Sequence, residues 1–209
     1  TIIEPVSADR VGWDELMFQV DNSDVILLGE QHDHAVGHAV QLAVVEDVMN
    51  KYPNSVLALE MLERDEQHIV DDYMEGFINA STLETLTHSE NWGAVGGWVA
   101  WYQPIIDAVK QRGGAVVAAN APRRYVRLAR LEGYERIDEL PSSRREYVDY
   151  PKELSGGRYR ERFWEFANHG GGEVENEPEV GLSEINPDDP LLPLFRSQQV
   201  WDATMAQSI

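Results

Sequence analysis

The sequence contains no cysteine, and this absence removes two classes of protein at once. Without thiols there is neither a disulfide framework nor a thiolate metal site. Positive charge is also scarce: 17 Lys and Arg stand against 37 Asp and Glu, for a net charge of −20. Nucleic acids and anionic membrane surfaces are therefore unexpected partners, because binding either of them requires clustered cations. A solubilising acidic surface is the simplest interpretation.

Long apolar runs are missing too. No stretch approaches the roughly 20 apolar residues that span a bilayer. Residues 1–24 lack a basic stretch followed by an apolar core, so we expect either a trimmed start or a protein that is not exported by a signal peptide. Ile209 falls inside a predicted helix, which is typical of a trimmed end. No serine elbow, phosphate loop or dinucleotide glycine pattern occurs.

Three short apolar runs predict a parallel sheet. Each run is continuous rather than alternating, as in strands that helices cover on both faces. The runs are Val25–Leu28, Val56–Leu59 and Ala115–Ala119. Helical patterns separate them, over residues 34–49, 65–77 and 98–112, and another follows Pro122 to about Leu131. Strands and helices in alternation are typical of parallel sheets with right-handed crossovers.

The predicted fold class is therefore α/β, with a mainly parallel sheet flanked by helices. We expect residues 1–131 to form this core, with Asp33 as the N-cap of the first helix between the strands. From about residue 132 the sequence predicts a helical lid or subdomain that extends to residue 190. The lid would end in a flexible acidic loop from Asn168 to Pro190. Residues 191–209 predict a last helix that returns to the core.

Polar side chains follow the end of each predicted strand. Glu30 and His32 come after the first strand, Glu60 after the second and Asn120 after the third. The carboxyl ends of parallel strands face one crevice, where such folds bind ligands, so we expect these four residues to lie together. Glu30 and Glu60 would be like charges in that crevice and would require a cation. The candidate cations are a bound metal, Arg123 and Arg124.

The other histidines and the aromatic residues leave alternatives open. His34 and His38 are four residues apart on one predicted helical face, where two imidazoles either bind one metal or are simply solvated. His169 adjoins an aromatic cluster and a glycine run, and one hypothesis is a mobile segment that grips a ligand. The aromatic residues from Trp92 to Tyr102 fit a core, and they would equally line a slot for a flat macrocycle.

Four segments carry a recognisable pattern: VILLGEQHD at 25–33, LEMLERDEQHIVDDYMEG at 59–76, WVAWYQP at 98–104 and AANAPR at 118–123. Together they resemble the ChaN-like haem-binding uptake lipoproteins, within the broader Tiki, TraB and erythromycin-esterase superfamily. The resemblance spans residues 24–131, with a weaker echo at 201–206. It implies lipoproteins of the bacterial envelope that hold haem at a homodimer interface through a tyrosine ligand, with a histidine contact to a propionate.

The resemblance also implies a set of site residues. Position by position it points to Gly29, Glu30, His32, Glu60, Asn120 and Arg123. In the hydrolase branch of the superfamily, Glu30, His32 and Glu60 would ligate a divalent metal or act in catalysis, with Gly29 and Asn120 in support. No motif places the haem-ligating tyrosine, and the candidates from context are Tyr102, Tyr150 and Tyr159, supported by His169 and Arg123. Family members also carry a lipidated N-terminal cysteine and a further strand after the last helix, and we expect both to fall outside a sequence that is trimmed at its ends.

Three functional hypotheses follow. The first is a haem-binding envelope protein for iron uptake, because a phenolate is a hard oxygen ligand for ferric haem and arginines pair with propionates. The second is a metal-dependent hydrolase, in which His32 and the two glutamates activate water and Arg123 stabilises developing negative charge. The third is a scaffold that kept the fold without either activity.

Overall fold

The computed structural model describes residues 1–168, 186 and 188–209. Two short strands, β1 (Ile2–Ile3) and β2 (Arg10–Val11), open the chain as an antiparallel pair. The following elements are α1 (Trp13–Asp21), α2 (Ala35–Lys51), β3 (Val56–Glu63), α3 (Gln67–Glu75), α4 (Ala80–Thr87), α5 (Gln103–Gln111), β4 (Ala115–Asn120), α6 (Arg123–Glu132), α7 (Glu135–Asp138), α8 (Ser142–Arg145), α9 (Gly157–Asn168) and α10 (Leu192–Ser208). Short 3₁₀ turns at Arg64–Glu66 and Ser89–Asn91 and a π-helical turn at Trp98–Tyr102 complete the order.

The predicted α/β fold class is confirmed. β3 and β4 pair in parallel and form a small sheet flanked by helices. Both strands come from apolar runs that the sequence marked, although β3 continues to Glu63. After Glu132 the described residues form helices and no strand, as predicted for that region. In the described part of the chain, no helix is both long and apolar enough to cross a membrane.

The first predicted strand is wrong. Val25–Leu28 has no regular secondary structure, and the described strands pair only as β1 with β2 and β3 with β4. Its apolar side chains stay accessible, from 37% for Ile26 to 79% for Leu27. A strand forms only where a neighbour takes up its backbone N–H and C=O groups, and an apolar run by itself does not supply that neighbour.

The predicted N-cap of α2 is also wrong, by one residue. His34 caps the helix instead of Asp33, because its Nδ1 accepts a hydrogen bond from the Gly37 N–H at 3.0 Å. An imidazole nitrogen thus satisfies one of the free N–H groups of the first turn, as a carboxylate would. The Nδ1 atom of His34 is therefore already engaged as a hydrogen-bond acceptor.

The chain forms two compact units. Unit 1 comprises Thr1–Leu57 and Asp71–Val116, and unit 2 comprises Ala58–Val70 and Val117–Ile209. In unit 1, α2 packs against α5 and the π-helical turn, and the buried side chains include Val44, Met49, Trp98, Tyr102, Ile106 and Val109. In unit 2, α10 packs against α6 around a core of Ala121, Tyr125, Val126, Ala129, Ile137, Val148 and Val200. The predicted boundaries near residues 131 and 190 stay predictions.

The sequence of α6 shows how such packing arises. Tyr125, Val126 and Ala129 are buried at helical spacing, whereas the arginines around them are exposed. One apolar stripe facing α10 and one charged face towards water are typical of an amphipathic surface helix. The helix ends before Gly133, whose φ of 90° suits glycine far better than other residues.

Candidate functional site

Glu30 is the centre of a hydrogen-bonded cluster in unit 1. Its carboxylate accepts from the Tyr102 hydroxyl at 2.6 Å and from Gln41 Nε2 at 2.9 Å. It also lies 2.6 Å from His32 Nδ1. Burial by itself would raise the pKa of Glu30, but the hydrogen bonds from Tyr102, Gln41 and His32 outweigh burial and lower it. Glu30 is thus held as an anion with 9% of its side chain exposed.

His38 lies in the same cluster, between two hydrogen-bond acceptors. Because Gln41 donates its amide N–H to Glu30, its Oε1 faces His38 Nδ1 at 2.9 Å. The other ring nitrogen, Nε2, is 3.2 Å from the carbonyl oxygen of His32. A neutral ring donates to only one of these acceptors, and the tautomer decides which one. Nδ1 also lies 3.8 Å from the Glu30 carboxylate.

Aromatic rings enclose His38, which is 2% exposed. Trp101 stacks on it with ring centroids 4.8 Å apart and planes 9° apart, and Tyr102 packs edge-on at 4.8 Å. Stacked aromatic rings attract each other beyond the burial of their surface. Gly93 and Gly97 also lie against Trp101, where a Cβ would be 3.0 Å and 3.2 Å from its ring. The glycines before the π-helical turn thus allow the backbone to pack closely against the Trp101 indole.

His32 is the accessible member of the cluster. Its side chain is 49% exposed, and Trp92 packs edge-on with ring centroids 5.0 Å apart. With Nδ1 bonded to Glu30, the neutral ring carries its proton on Nδ1, so Nε2 is left as an acceptor. A carboxylate that orients an imidazole in this way prepares it to accept a proton or to coordinate a metal.

Glu60, Asn120 and Arg123 lie in unit 2, but the predicted position of Glu60 after the end of its strand is wrong. Glu60 lies within β3, which continues to Glu63, whereas Asn120 is the last residue of β4 and Arg123 follows it. Asn120 is 6% exposed, and its Nδ2 donates to the backbone oxygen of Glu60 at 2.9 Å, so its side chain ties β4 to β3. The Glu60 residue itself is exposed. Arg123 forms an ion pair with Glu63 at 3.2 Å. Since Glu30 and His32 belong to unit 1, the single crevice shared by all four residues stays a prediction.

The turn after β3 contains charged residues that sequence reasoning missed. Glu63 and Glu66 form a capping box, in which Glu66 Oε2 accepts from the Glu63 N–H at 2.8 Å. Burial raises the pKa of Glu66 to about 7, and the neighbouring charges of Glu63 and Asp65 add to this effect. Asp65 pairs with Arg124 at 2.6 Å. The available signal was the spacing of Glu63 and Glu66, three residues apart as in a capping box.

Each of the three candidate tyrosines donates its hydroxyl to a carboxylate. The pairs are Tyr102 with Glu30 at 2.6 Å, Tyr150 with Asp138 at 2.5 Å and Tyr159 with Asp202 at 2.5 Å. Tyr102 is fully buried, whereas Tyr159 is 39% exposed. Burial, followed by the hydrogen bond to Asp138, raises the pKa of Tyr150 to about 12. Burial and Asp202 raise the pKa of Tyr159 in the same way.

Tyr150 lines a pocket of unit 2 with a volume of about 690 Å³. Tyr134 packs beside it, with ring centroids 5.0 Å apart and planes tilted by 34°, and Val148 adds apolar surface. Arg145 and Lys152 supply positive charge to the lining, which also contains four carboxylates. The pocket therefore combines aromatic surface and phenol oxygens with two cations and four carboxylates.

Two of the predictions, for His169 and for the acidic loop, concern mainly residues that the structure does not describe. His169 and most of the predicted flexible loop from Asn168 to Pro190 lie outside the described residues. Within the described residues, no group of three or more His, Asp or Glu is placed to hold a metal ion. The predicted divalent metal at Glu30, His32 and Glu60 therefore finds no support there.

Comparison with known proteins agrees with this fold. A family profile described as haem-binding uptake, Tiki superfamily, ChaN, matches residues 16–209. The chain is thus a Tiki-superfamily protein, and within that superfamily it belongs to the haem-binding uptake family of ChaN.

A solved structure, described as cofacial heme binding to ChaN of Campylobacter jejuni, is similar with a TM-score of 0.62 and 19% identity. The similarity covers 98% of this chain and 72% of that chain. At 19% identity, this similarity shows a shared fold and nothing about function. Among curated proteins, none matches the chain.

Proposed function

We propose that this protein binds haem and serves the uptake of haem or iron at the bacterial cell envelope. The observation that carries the proposal is the family match, which runs from residue 16 to residue 209. The similar structure of ChaN from Campylobacter jejuni supports it, because that protein is described as binding haem cofacially. A homodimer and attachment through a lipid anchor, which the sequence resemblance implies, belong to the same proposal.

Among the tyrosine candidates, Tyr150 fits the haem ligand best. Its pocket of about 690 Å³ is in the size range of cofactor sites, roughly 300 to 1,000 Å³. Tyr102, by contrast, has no accessible surface, and its hydroxyl is bonded to Glu30. Tyr159 is accessible and, like Tyr150, donates its hydroxyl to a carboxylate, but it does not line this pocket. The Tyr150 pocket therefore combines a phenol oxygen with space for a ligand.

Beside the four carboxylates of the lining, the residues around Tyr150 include groups that a ferric haem would use. Haem would supply an iron that accepts an oxygen ligand and two propionate carboxylates that pair with cations. Tyr150 would offer its phenol oxygen, whose hydroxyl donates to Asp138 at 2.5 Å, and a bound iron would counteract the raised pKa of this phenol. Arg145 and Lys152 are the cations of the pocket lining that can pair with propionates. The Tyr134 ring provides a flat apolar surface beside the ligand oxygen.

A haemin titration tests the proposal. The wild-type protein should bind haemin and give the absorption spectrum of a tyrosinate complex. Tyr150→Phe should lose that spectrum and bind about tenfold or more weakly, which corresponds to at least about 1.4 kcal/mol. Tyr102→Phe and Tyr159→Phe are matched controls that should keep the spectrum. A wild-type protein that does not bind haemin overturns the function, and a Tyr150→Phe variant with an unchanged spectrum overturns the ligand.

A second candidate function, hydrolysis, is favoured by the pair of Glu30 and His32. Their 2.6 Å contact orients an imidazole that is 49% exposed, which suits a general base. Turnover of activated esters by the wild-type protein, lost in His32→Ala without loss of stability, would support it. Turnover that persists unchanged in His32→Ala would remove it.

A further inference from the structure

Arg64 connects the turn after β3 to distant segments of unit 2. Its Nε donates to Ser208 Oγ at 2.8 Å, its Nη1 to Gln207 Oε1 at 2.7 Å and its Nη2 to the Thr204 carbonyl oxygen at 2.8 Å. Nη1 also makes a longer contact of 3.5 Å with the carbonyl oxygen of Glu146. One guanidinium thus bonds the last turn of α10 and the segment after α8.

Two of these partners are walls of the Tyr150 pocket. Gln207 lines it from α10, and Glu146 lines it from the segment that leads to Tyr150. Thr204 adds a further link, because its hydroxyl accepts from the Asp149 N–H at 2.9 Å and donates to the Asp149 carbonyl at 3.0 Å. The part of α10 that Arg64 holds is therefore bonded to the residue next to the proposed ligand.

The geometry requires an arginine in particular. A planar guanidinium presents several N–H groups in fixed directions, whereas a lysine ammonium is a single point charge on a flexible stem. The turn that carries Arg64 is itself fixed by the capping box of Glu63 and Glu66, at 2.8 Å. The capping box thus fixes the backbone of Arg64, and the hydrogen-bond acceptors fix its guanidinium.

We propose that Arg64 is a positioning residue for the Tyr150 pocket. It sets the separation of the α10 wall, at Gln207, from the wall formed by residues 146–150, and so controls the fit of the ligand. The inference rests on the proposed haem function, and it adds a residue that touches no ligand. Loss of the guanidinium loosens both walls together.

The test compares Arg64→Met and Arg64→Lys with Arg127→Met, a matched loss of an exposed arginine from α6. Haemin affinity and the absorption spectrum of the complex are measured, together with hydrogen exchange of residues 146–150 and 204–208 in the ligand-free protein. Arg64→Met should weaken haemin binding about tenfold, shift the spectrum and speed exchange in both segments. Arg64→Lys should restore part of the affinity, and Arg127→Met should match the wild type.

A second pair of variants covers the case in which Arg64→Met does not fold. Arg64→Lys and Gln207→Leu, alone and combined, should then show non-additive losses of haemin affinity, because both remove the same contact. Additive losses would overturn the inference. If the wild type binds no haemin, the proposed function fails, and hydrogen exchange decides on Arg64: unchanged exchange at residues 146–150 in Arg64→Lys overturns its role. If wild type and all Arg64 variants bind haemin alike, only the inference fails.

Discussion

The pKa values of two partly buried glutamates, Glu30 and Glu66, are shifted in opposite directions. Glu30 is surrounded by donors, and its pKa is lowered because hydrogen bonds from Tyr102, Gln41 and His32 outweigh burial. Glu66 has the charges of Glu63 and Asp65 beside it, and its pKa is raised to about 7. The same side chain is therefore ionised at neutral pH in unit 1 and only partly ionised in unit 2.

Glu66→Gln should stabilise the protein in a pH-dependent way. Because the folded-state pKa of about 7 lies above the ordinary value of 4.5, the stability that Glu66 contributes is complete below about pH 4.5. It is lost as the pH rises through 7. The glutamine keeps an acceptor for the Glu63 N–H, so we expect its free energy of unfolding to exceed the wild-type value by about 1 kcal/mol at pH 8, after allowance for solvent screening. Urea unfolding should show no difference at pH 4, and a constant difference at both pH values would contradict the assigned cause.

Tyr102→Phe should destabilise the Glu30 cluster in the opposite pH range. The lost hydrogen bond to a buried carboxylate is worth about 1.5 to 3 kcal/mol. Because the pKa of Glu30 is lowered in the folded state, its contribution is present above the ordinary value of 4.5 and is lost as the pH falls through the folded-state pKa. The destabilisation should therefore be large at pH 7 and smaller at pH 3 in urea unfolding. An equal loss at both values would show that the hydroxyl packs but does not hold the charge.

Among the secondary structure elements, the π-helical turn depends on the glycines that precede it. Gly93 and Gly96 both have positive φ, 76° and 78°, so alanine strains the backbone at either position. Only Gly93 is also in close contact, since a Cβ there would lie 3.0 Å from the Trp101 ring and from the His32 carbonyl oxygen. At Gly96 glycine is needed for the backbone conformation, and at Gly93 it is needed for the backbone conformation and because space is lacking.

Gly93→Ala and Gly96→Ala therefore form a matched pair. Each variant carries a backbone strain of about 1 to 2 kcal/mol. Gly93→Ala should lose a further 1 to 3 kcal/mol, roughly, because the added methyl group overpacks the indole that stacks on His38. The free energy of unfolding measures the difference. Equal losses in the two variants would mean that Trp101 moves away freely.

The elements that could be predicted are those whose pattern is local. β3 and β4 follow from bounded apolar runs, and α6 from the helical spacing of Tyr125, Val126 and Ala129. The strand at Val25–Leu28 could not be settled from its own residues, because a strand depends on a partner elsewhere in the chain. The cap at His34 was missed because an imidazole is a less common acceptor than the neighbouring Asp33 carboxylate.

In the candidate site, too, only contacts between residues close in sequence could be predicted. Glu30 and His32 could be found because they are two positions apart in one motif, and the structure joins them at 2.6 Å. The contact of Glu30 with Tyr102 links positions 72 residues apart, and Arg64 reaches Ser208 across 144 residues. Such pairs depend on the folded packing, which no local pattern encodes.

Over the whole molecule, the dominant property is charge. With a net charge of −20, two copies repel each other when they approach, and this repulsion opposes the homodimer that the haem proposal includes. Salt weakens repulsion between exposed charges, because the Debye length falls from about 30 Å at 0.01 M to about 8 Å at 0.15 M. We therefore expect the proposed homodimer to depend on ionic strength as well as on haem.

Sedimentation in the presence of haemin should show this dependence. At a fixed protein concentration we expect the dimer fraction to rise as the ionic strength is raised from about 0.01 M to about 0.15 M, because screening removes more repulsion than attraction between two acidic surfaces. The same series without haemin separates association caused by the ligand from association caused by salt alone. Tyr150→Phe provides the matched control, since it keeps the charge and removes the proposed ligand oxygen. A dimer fraction that falls with salt would show instead that complementary charges, such as the exposed arginines of α6 against an acidic face, hold the two copies together.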